Sequence, residues 1–401
     1  MAFKGTVIGR PRKEGGDTRE PSKSSQKGES NPEYSVQRFV RFDIGPNLSN
    51  GAQCRGTRGG FCLFCHGVFF LSLKGRPIPT FAHMLQLITA MSELGAGTRG
   101  SSLGYAAIRG ASFHIQPKFF RSLAPRKVQT NNALLYRHPE SPYGKRIRGI
   151  VRMYRRISAV VAETLDDGQF PIVISGDHSN AGGTIAGIKQ AFPLSRLGVV
   201  WIDAHADLHS PYTSPSGNMH GMPLATAIGA DNVACKINDP SPVTVDAWQK
   251  LKGHPQRVKP SDVAFIGLRS TETPEDHLIA QHDMRVHRVP EVRQKGLTAI
   301  VEAVMEQLTH CDMVYVSFDV DSMDPSISEG TGTPVEGGFT LEEARGLLEL
   351  FADQPKVMCM EFTEINPLLD KGGNAMGTAA FTLLQSTVYR LQERLGLRGS
   401  F

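Results

Sequence analysis

Six short apolar runs in the last three quarters of the chain constrain the fold more than any other feature. The runs are nearly continuous and rich in Val and Ile, which is typical of strands covered on both faces. They are Leu85–Thr89, Pro171–Ser175, Val199–Asp203, Val263–Leu268, Val314–Val320 and Val357–Phe362. Segments with helical periodicity also occur, at about 148–166, 180–191, 297–309, 340–352 and 374–395. This alternation predicts a three-layer α/β/α domain with a mostly parallel central sheet.

The composition and periodicity of the chain change near Met84. Residues 1–35 are rich in Gly, Ser, Lys, Arg, Glu and Pro without sustained periodicity, which is typical of disorder. Residues 1–83 carry a net charge of +7, whereas the rest of the chain carries −2. We therefore predict a basic, disordered N-terminal extension over 1–83 and a folded domain over 84–401. Since the folded part has no basic excess, we predict no nucleic-acid partner.

Cysteine usage and hydropathy bear on the compartment. The six cysteines are scattered and form no disulfide framework, which favours a reducing compartment. No apolar run reaches the roughly 18 residues of a transmembrane helix, so we predict a cytoplasmic protein without a membrane partner. Cys62–His66 fits the C-x-x-C-H pattern of covalent haem attachment. That attachment requires export, and no signal peptide precedes the motif, so we predict no haem.

Ligand-type side chains follow three of the predicted strands. They are His178 after the second run, Asp203, His205 and Asp207 after the third, and Asp319 and Asp321 at the end of the fifth. Side chains at alternate positions of an extended chain point to the same side. Asp203, His205 and Asp207 should therefore share one side, and so should Asp319 and Asp321. Burying these groups unpaired at the end of an apolar strand is costly, and a metal ion removes that cost.

Each motif also has a simpler interpretation when it is taken alone. The third run could end in a solvated loop, the fifth in a turn cluster, and His178 could be structural. Together, four carboxylates and two histidines without thiolate favour Mn, Fe, Co or Ni over a structural zinc site. Two such ions would share carboxylates and hold a hydroxide of lowered pKa between them. The combination predicts metal-assisted hydrolysis.

These motifs resemble those of the ureohydrolase family. The matching segments are Gly176–Ser179, Asp203–Asp207 and Ser317–Gly338, and the resemblance extends from about Leu85 to about Leu395. It implies an arginase-like fold with two Mn²⁺ ions at the C-terminal strand ends. In the family's pattern one ion would take His178, Asp203, Asp207 and Asp319, and the other Asp203, His205, Asp319 and Asp321. Asp203 and Asp319 would then bridge the ions, and Asp207 would orient the bridging hydroxide.

Within this family the resemblance is closest to arginase, which implies hydrolysis of L-arginine to L-ornithine and urea. Asp207, His220 and Glu364 match the catalytic positions: His220 that of a proton shuttle and Glu364 that of the carboxylate that binds the guanidinium. The residues matching the other substrate-binding positions are Ser216 and Asn218 for the α-carboxylate, Glu272 with Glu275 for the α-amino group, and Thr333 near the substrate. The resemblance also implies a homo-oligomer, a trimer or a hexamer.

The sequence departs from the arginase pattern at two positions. His209 stands where many arginases have asparagine, and Ser270 stands where many have aspartate. The alternative is therefore a sister ureohydrolase with the same metal site, acting on agmatine, another guanidino acid or formimidoylglutamate. Agmatine has no carboxylate for Ser216 and Asn218 to bind. A non-enzymatic metal protein is disfavoured because all six ligand positions and His220 are present.

Overall fold

A computed structural model describes residues 84–253 and 256–397. Our predictions for residues 1–83, including the Cys62–His66 motif, lie outside the described residues. The strands of the described part are β1 (Leu85–Ala90), β2 (Arg126–Lys127), β3 (Phe170–Ser175), β4 (Leu197–Ile202), β5 (Val263–Ile266), β6 (Arg285–His287), β7 (Met313–Asp319) and β8 (Val357–Thr363). They form one sheet in the order β2-β1-β3-β8-β7-β4-β5-β6, and every pair is parallel.

Helices cover both faces of this sheet. They are α1 (Gly104–Ile115), α2 (Phe119–Ser122), α3 (Ile147–Asp166), α4 (Ala181–Ala191), α5 (Pro223–Ile228), α6 (Pro242–Lys252), α7 (Thr273–Gln281), α8 (Val289–Lys295), α9 (Leu297–Gln307), α10 (Leu341–Ala352) and α11 (Ala375–Leu395). One core cluster joins α1, α2 and α8–α11 to one face, and a second joins α3–α7 to the other. None of the helices in the described ranges is both long and apolar enough to cross a bilayer. The predicted three-layer α/β/α architecture is confirmed.

The strands alternate between the two cores with period two. Val200 and Ile202 of β4 belong to the first cluster, whereas Val199 and Trp201 belong to the second. Because both faces are buried, the strands are apolar at nearly every position, which is why the sequence shows continuous runs. Each fully buried side chain of this kind contributes about 1.5–3 kcal/mol of transfer free energy.

All six predicted strands and all five predicted helices are present, with ends within two residues of the predictions. Thr340 and Glu343 form the capping box that their spacing predicts at the start of α10. Two strands were not predicted, β2 and β6, because edge strands of two and three residues give no apolar run. Six helices were also missed. Four of them have nine residues or fewer, and α6 carries an overlooked start signal, Ser241 followed by Pro242.

The four central strands position the site. β3, β8, β7 and β4 are consecutive neighbours, and their register partners near the C-terminal ends are Ile174, Phe362, Phe318 and Ile202. The residues that follow these four positions therefore emerge at one edge of the sheet, where ligand sites of open parallel sheets lie.

Candidate active site

Three carboxylates surround the imidazole of His178. Its Nδ1 lies 3.0 Å from Asp203 Oδ2, 3.0 Å from Asp207 Oδ2 and 3.1 Å from Asp319 Oδ2. All four side chains are buried. His178 follows β3, Asp203 and Asp207 follow β4, and Asp319 is the last residue of β7, so the arrangement depends on the order of the central strands.

These atoms converge without satisfying one another. His178 Nδ1, Asp203 Oδ2 and Asp207 Oδ2 are buried and have no partner with hydrogen-bond geometry among the described residues. Burial also raises the pKa of Asp207 to about 7, with the charge of Asp203 adding to the effect. A divalent cation at the convergence point would supply the missing partner and offset the repulsion between the carboxylates. The donor set therefore fits a metal ion.

A second group shares Asp203 with the first. His205 Nδ1 lies 3.0 Å from Asp321 Oδ2 and 3.5 Å from Asp203 Oδ1. Asp203 thus faces one imidazole with each of its oxygens, the arrangement expected of a bridging carboxylate. Asp319 faces the first group through Oδ2, while its Oδ1 accepts the Asp321 N–H at 2.8 Å. Its bridging role therefore stays a prediction from the family resemblance.

His178 is held in place by residues that we did not predict as part of the site. Its Nε2 lies 2.8 Å from Ser317 Oγ, and its ring stacks on Trp201 with centroids 4.2 Å apart. Ser317 also lies beside Tyr315, whose hydroxyl donates to Glu361 Oε2 at 2.8 Å. A charged residue inside the apolar run Val357–Phe362 was the sequence signal that could have revealed this network.

Two carboxylates of the site have strained backbones. Asp207 has φ 52° and Glu364 has φ 63°, in the left-handed region that non-glycine residues seldom adopt. Such strain costs on the order of 1 kcal/mol or more and is concentrated at functional sites. Glu364 follows β8, is buried, and accepts the His178 N–H through Oε1 at 2.9 Å. In this backbone conformation the Glu364 carboxylate contacts other residues of the site.

A cavity of about 310 Å³ opens beside these residues. One end is formed by ligand-type residues and the other by polar residues predicted to bind substrate. The lining comprises His178, His205, Asp207, His209, Pro215, Ser216, Asn218, His220, Gly221, Ser270, Glu272, Glu275, Asp319 and Thr333. Glu364 lies next to this lining, with Oε1 3.5 Å from His220 Nδ1.

His209 faces the acids at the outer end of the cavity. Its Nε2 lies 3.5 Å from Glu272 Oε2 and 3.8 Å from Glu275 Oε2, and its Nδ1 lies 3.2 Å from Thr213 Oγ1. Glu272 and Glu275 also form a capping box at the start of α7, which fixes their position. Burial raises the pKa of Glu275. The departure at His209 therefore lies in the cavity itself.

The structure brings all the predicted site residues to one edge of the sheet. Thr333 contacts the ligand cluster directly, because its hydroxyl donates to Asp321 Oδ2 at 3.1 Å. Ser216, Asn218, His220 and Glu272 line the cavity at positions consistent with contact to a bound molecule. Sequence reasoning missed Lys145, which lies two residues before α3 and whose ammonium reaches Asn218.

Comparisons with known proteins agree with this geometry. The model of the arginase family matches residues 85–389. The arginase of Bacillus subtilis (strain 168) is 32% identical over 311 residues, which are 75% of this chain and 96% of that protein. The native crystal structure of the arginase from Bacillus caldovelox superposes with a TM-score of 0.66 at 31% identity, covering 76% of this chain and 98% of that one. Formimidoylglutamase from Bacillus subtilis shares the fold, with a TM-score of 0.60 at 17% identity over 77% of this chain and 88% of that one.

Proposed function

Because this chain belongs to the arginase family, we propose that it hydrolyses L-arginine to L-ornithine and urea with a pair of bound manganese ions. The observation that carries the proposal is the two-ended cavity. Converging carboxylates and imidazoles line one end, and groups matched to an α-amino acid line the other.

Six residues would hold the two ions. They are His178, Asp203, Asp207 and Asp319 for one ion, and Asp203, His205, Asp319 and Asp321 for the other. When bound, the ions supply a water of lowered pKa, which is a nucleophile near neutral pH. Ser317 positions His178 for this role through its contact with Nε2, and Thr333 positions Asp321 through its donated hydrogen bond.

Glu364 and His220 act on the guanidinium end of the substrate. A planar carboxylate is the best partner for a guanidinium, and Glu364 is buried, where the ion pair is strongest. His220 lies 3.5 Å from Glu364, so a guanidinium bound by Glu364 would place its leaving nitrogen near the His220 proton. Burial lowers the pKa of His220, but Glu364 outweighs this effect and raises it to about 9. His220 therefore carries a proton at neutral pH and donates it to the leaving amine, while Asp207 accepts the proton of the attacking water.

The outer end favours a substrate with both a carboxylate and an ammonium group. Ser216 Oγ accepts the Asn218 N–H at 3.2 Å, which leaves the hydroxyl hydrogen free to donate to a carboxylate. Glu272 and Glu275, across the same cavity, offer acceptors to an α-ammonium group. Agmatine lacks the carboxylate, so the Ser216 hydroxyl and the Asn218 amide would have no acceptor on it. L-arginine is therefore the preferred substrate.

The second candidate is another ureohydrolase with the same metal site. His209 is the observation that favours it, because an imidazole at the outer end fills more of the cavity than an asparagine does. A different guanidino acid, or formimidoylglutamate, would then be the better substrate. Manganese as the native metal and a trimeric or hexameric assembly are part of the proposal on the strength of the family resemblance. A cytoplasmic location is part of it because the six scattered cysteines favour a reducing compartment.

The direct test is urea release from manganese-loaded protein offered L-arginine and agmatine in parallel. We expect urea from L-arginine, with kcat/KM for agmatine lower by at least about tenfold, since a hydrogen bond to a charged carboxylate contributes about 1.5–3 kcal/mol. Formimidoylglutamate is assayed beside them by release of formamide. A preference for agmatine or formimidoylglutamate would keep the hydrolase site and reject L-arginine as the substrate.

A further inference from the structure

Lys145 lies against the loop that carries Ser216 and Asn218, although it precedes that loop by about 70 residues. Its backbone N–H donates to the Gly217 carbonyl at 2.8 Å. Gly217 has φ 68°, and a Cβ on it would lie 1.7 Å from the Pro142 carbonyl oxygen, so only glycine fits this approach. The backbone of Lys145 is therefore fixed relative to the outer end of the cavity.

The side chain of Lys145 reaches a cavity-lining residue. Its Nζ donates to Asn218 Oδ1 at 3.0 Å. Lys145 is half-buried and makes no ion pair with a described residue. Its positive charge is thus presented to Asn218 without a neutralising carboxylate in contact.

This contact decides which part of the Asn218 amide is left for a ligand. The oxygen already accepts from the ammonium, and the group without a hydrogen bond to a described residue is the NH₂, which only donates. The NH₂ packs closely over Gly97, where a Cβ would lie 2.7 Å from Nδ2. Ser216 Oγ accepts from the Asn218 N–H, so its own hydrogen is also left to donate. This side of the cavity offers donors and a nearby positive charge, which match an anion.

We propose that Lys145 is a specificity-determining residue of this site. It orients the Asn218 amide and adds the positive charge that selects substrates with a carboxylate at the outer end. This inference rests on the proposed function. It adds a residue that acts through Asn218, so Lys145 is a positioning residue rather than a catalytic one.

The test compares ligands that differ in the carboxylate alone. Calorimetry of manganese-loaded protein gives Kd for L-ornithine and for putrescine, which lacks the carboxylate, and steady-state kinetics give KM and kcat for L-arginine. Lys145→Met removes both charge and donor, whereas Lys145→Gln keeps a donor without the charge. Lys118→Met removes an exposed lysine outside the cavity lining and serves as the matched control.

We expect Lys145→Met to raise Kd for L-ornithine and KM for L-arginine by about tenfold, the usual effect of losing a charge-assisted hydrogen bond. Kd for putrescine should stay within about twofold of wild type because putrescine has no carboxylate. The kcat for L-arginine should stay within the same range because the residues around the guanidinium are unchanged. Lys118→Met changes none of these values. If Kd for L-ornithine in Lys145→Gln returns to the wild-type value, the effect comes from orientation of Asn218. If this Kd stays raised, the effect comes from the charge of Lys145. Either result supports the proposal.

Two outcomes would overturn the inference. One is an unchanged Kd for L-ornithine in both Lys145 variants, and the other is equal weakening of L-ornithine and putrescine, which would indicate general damage to the cavity. Thermal unfolding of each variant shows whether the fold is intact. Wild-type protein that neither binds L-ornithine nor releases urea from L-arginine would overturn the proposed function itself, which separates the two failures.

Discussion

His220 Nδ1 lies 3.5 Å from Glu364 Oε1, and both side chains are largely shielded from water. Burial lowers the pKa of His220, but the carboxylate of Glu364 reverses this and raises it to about 9. Glu364 also accepts the His178 N–H, so it links the guanidinium end of the cavity to the ligand cluster. The proposed acid and the proposed guanidinium partner therefore depend on one another.

The first prediction follows from this pair. In metal-free protein, NMR of labelled histidine should show the pKa of His220 near 9, and in Glu364→Gln a clearly lower pKa, because burial then acts with less opposition. Because the folded-state pKa is raised, the pair stabilises the fold fully below pH 6.5, and this stabilisation is lost as pH rises through about 9. His220→Asn identifies the resonance. The same His220 pKa in both proteins would contradict the coupling.

A second prediction separates metal binding from proton transfer. Asp203→Ala should lose bound metal and urea release together, because Asp203 faces both imidazoles. His220→Asn should retain its metal and lose about 100-fold in kcat, as expected when a general acid is removed. Metal content is measured by elemental analysis of the purified variants beside the assay. Full metal occupancy and full turnover in Asp203→Ala would show that the ligand assignment is wrong.

A third prediction concerns the contacts behind His178. Tyr315 donates to Glu361 and lies beside Ser317, which contacts His178 Nε2. Tyr315→Phe should weaken metal binding by about tenfold, because partners of a metal-ligating histidine fix its orientation. Calorimetric titration with manganese gives the Kd of each variant. Tyr154→Phe is the matched control, since Tyr154 is also buried but contacts Thr226 instead, and an equal loss in both variants would refute the role of Tyr315.

A fourth prediction tests stability away from the site. Asp262 is buried and accepts from Arg196 Nε and Nη2, both at 2.7 Å, with His310 Nε2 at 2.9 Å. Burial raises the pKa of Asp262, but Arg196 and His310 outweigh it and lower the pKa. Asp262→Asn should therefore cost about 1–2 kcal/mol at pH 7, because charge-assisted hydrogen bonds are lost while the Arg196 guanidinium, about a third exposed, stays hydrated.

The pH dependence of this cost has a definite sign. A lowered folded-state pKa gives stability that is present above the unfolded value of 3.8 and is lost as pH falls through the folded value. The difference in unfolding free energy between wild type and Asp262→Asn should thus shrink in acid, as measured by urea unfolding. Asp246→Asn, which removes an exposed pair with Lys250, should change stability little at any pH. A constant difference down to pH 2 would contradict this account.

The sequence by itself determined the class of fold and the chemistry at the strand ends. Continuous Val- and Ile-rich runs require strands covered on both faces, and alternation with helices requires parallel neighbours. Asp203, His205 and Asp207 are close in the chain, so strand periodicity alone predicts that they share a side. These are local properties, and local patterns encode them fully.

Only the tertiary structure decided which of these groups meet. The order that places β3, β8, β7 and β4 side by side brings Asp319 and Asp207 to the same imidazole nitrogen. The contacts Lys145–Asn218 and Tyr315–Glu361 join residues 73 and 46 positions apart. The short edge strands β2 and β6 are likewise set by their neighbours. Such features depend on how distant segments pack, and no local periodicity carries that information.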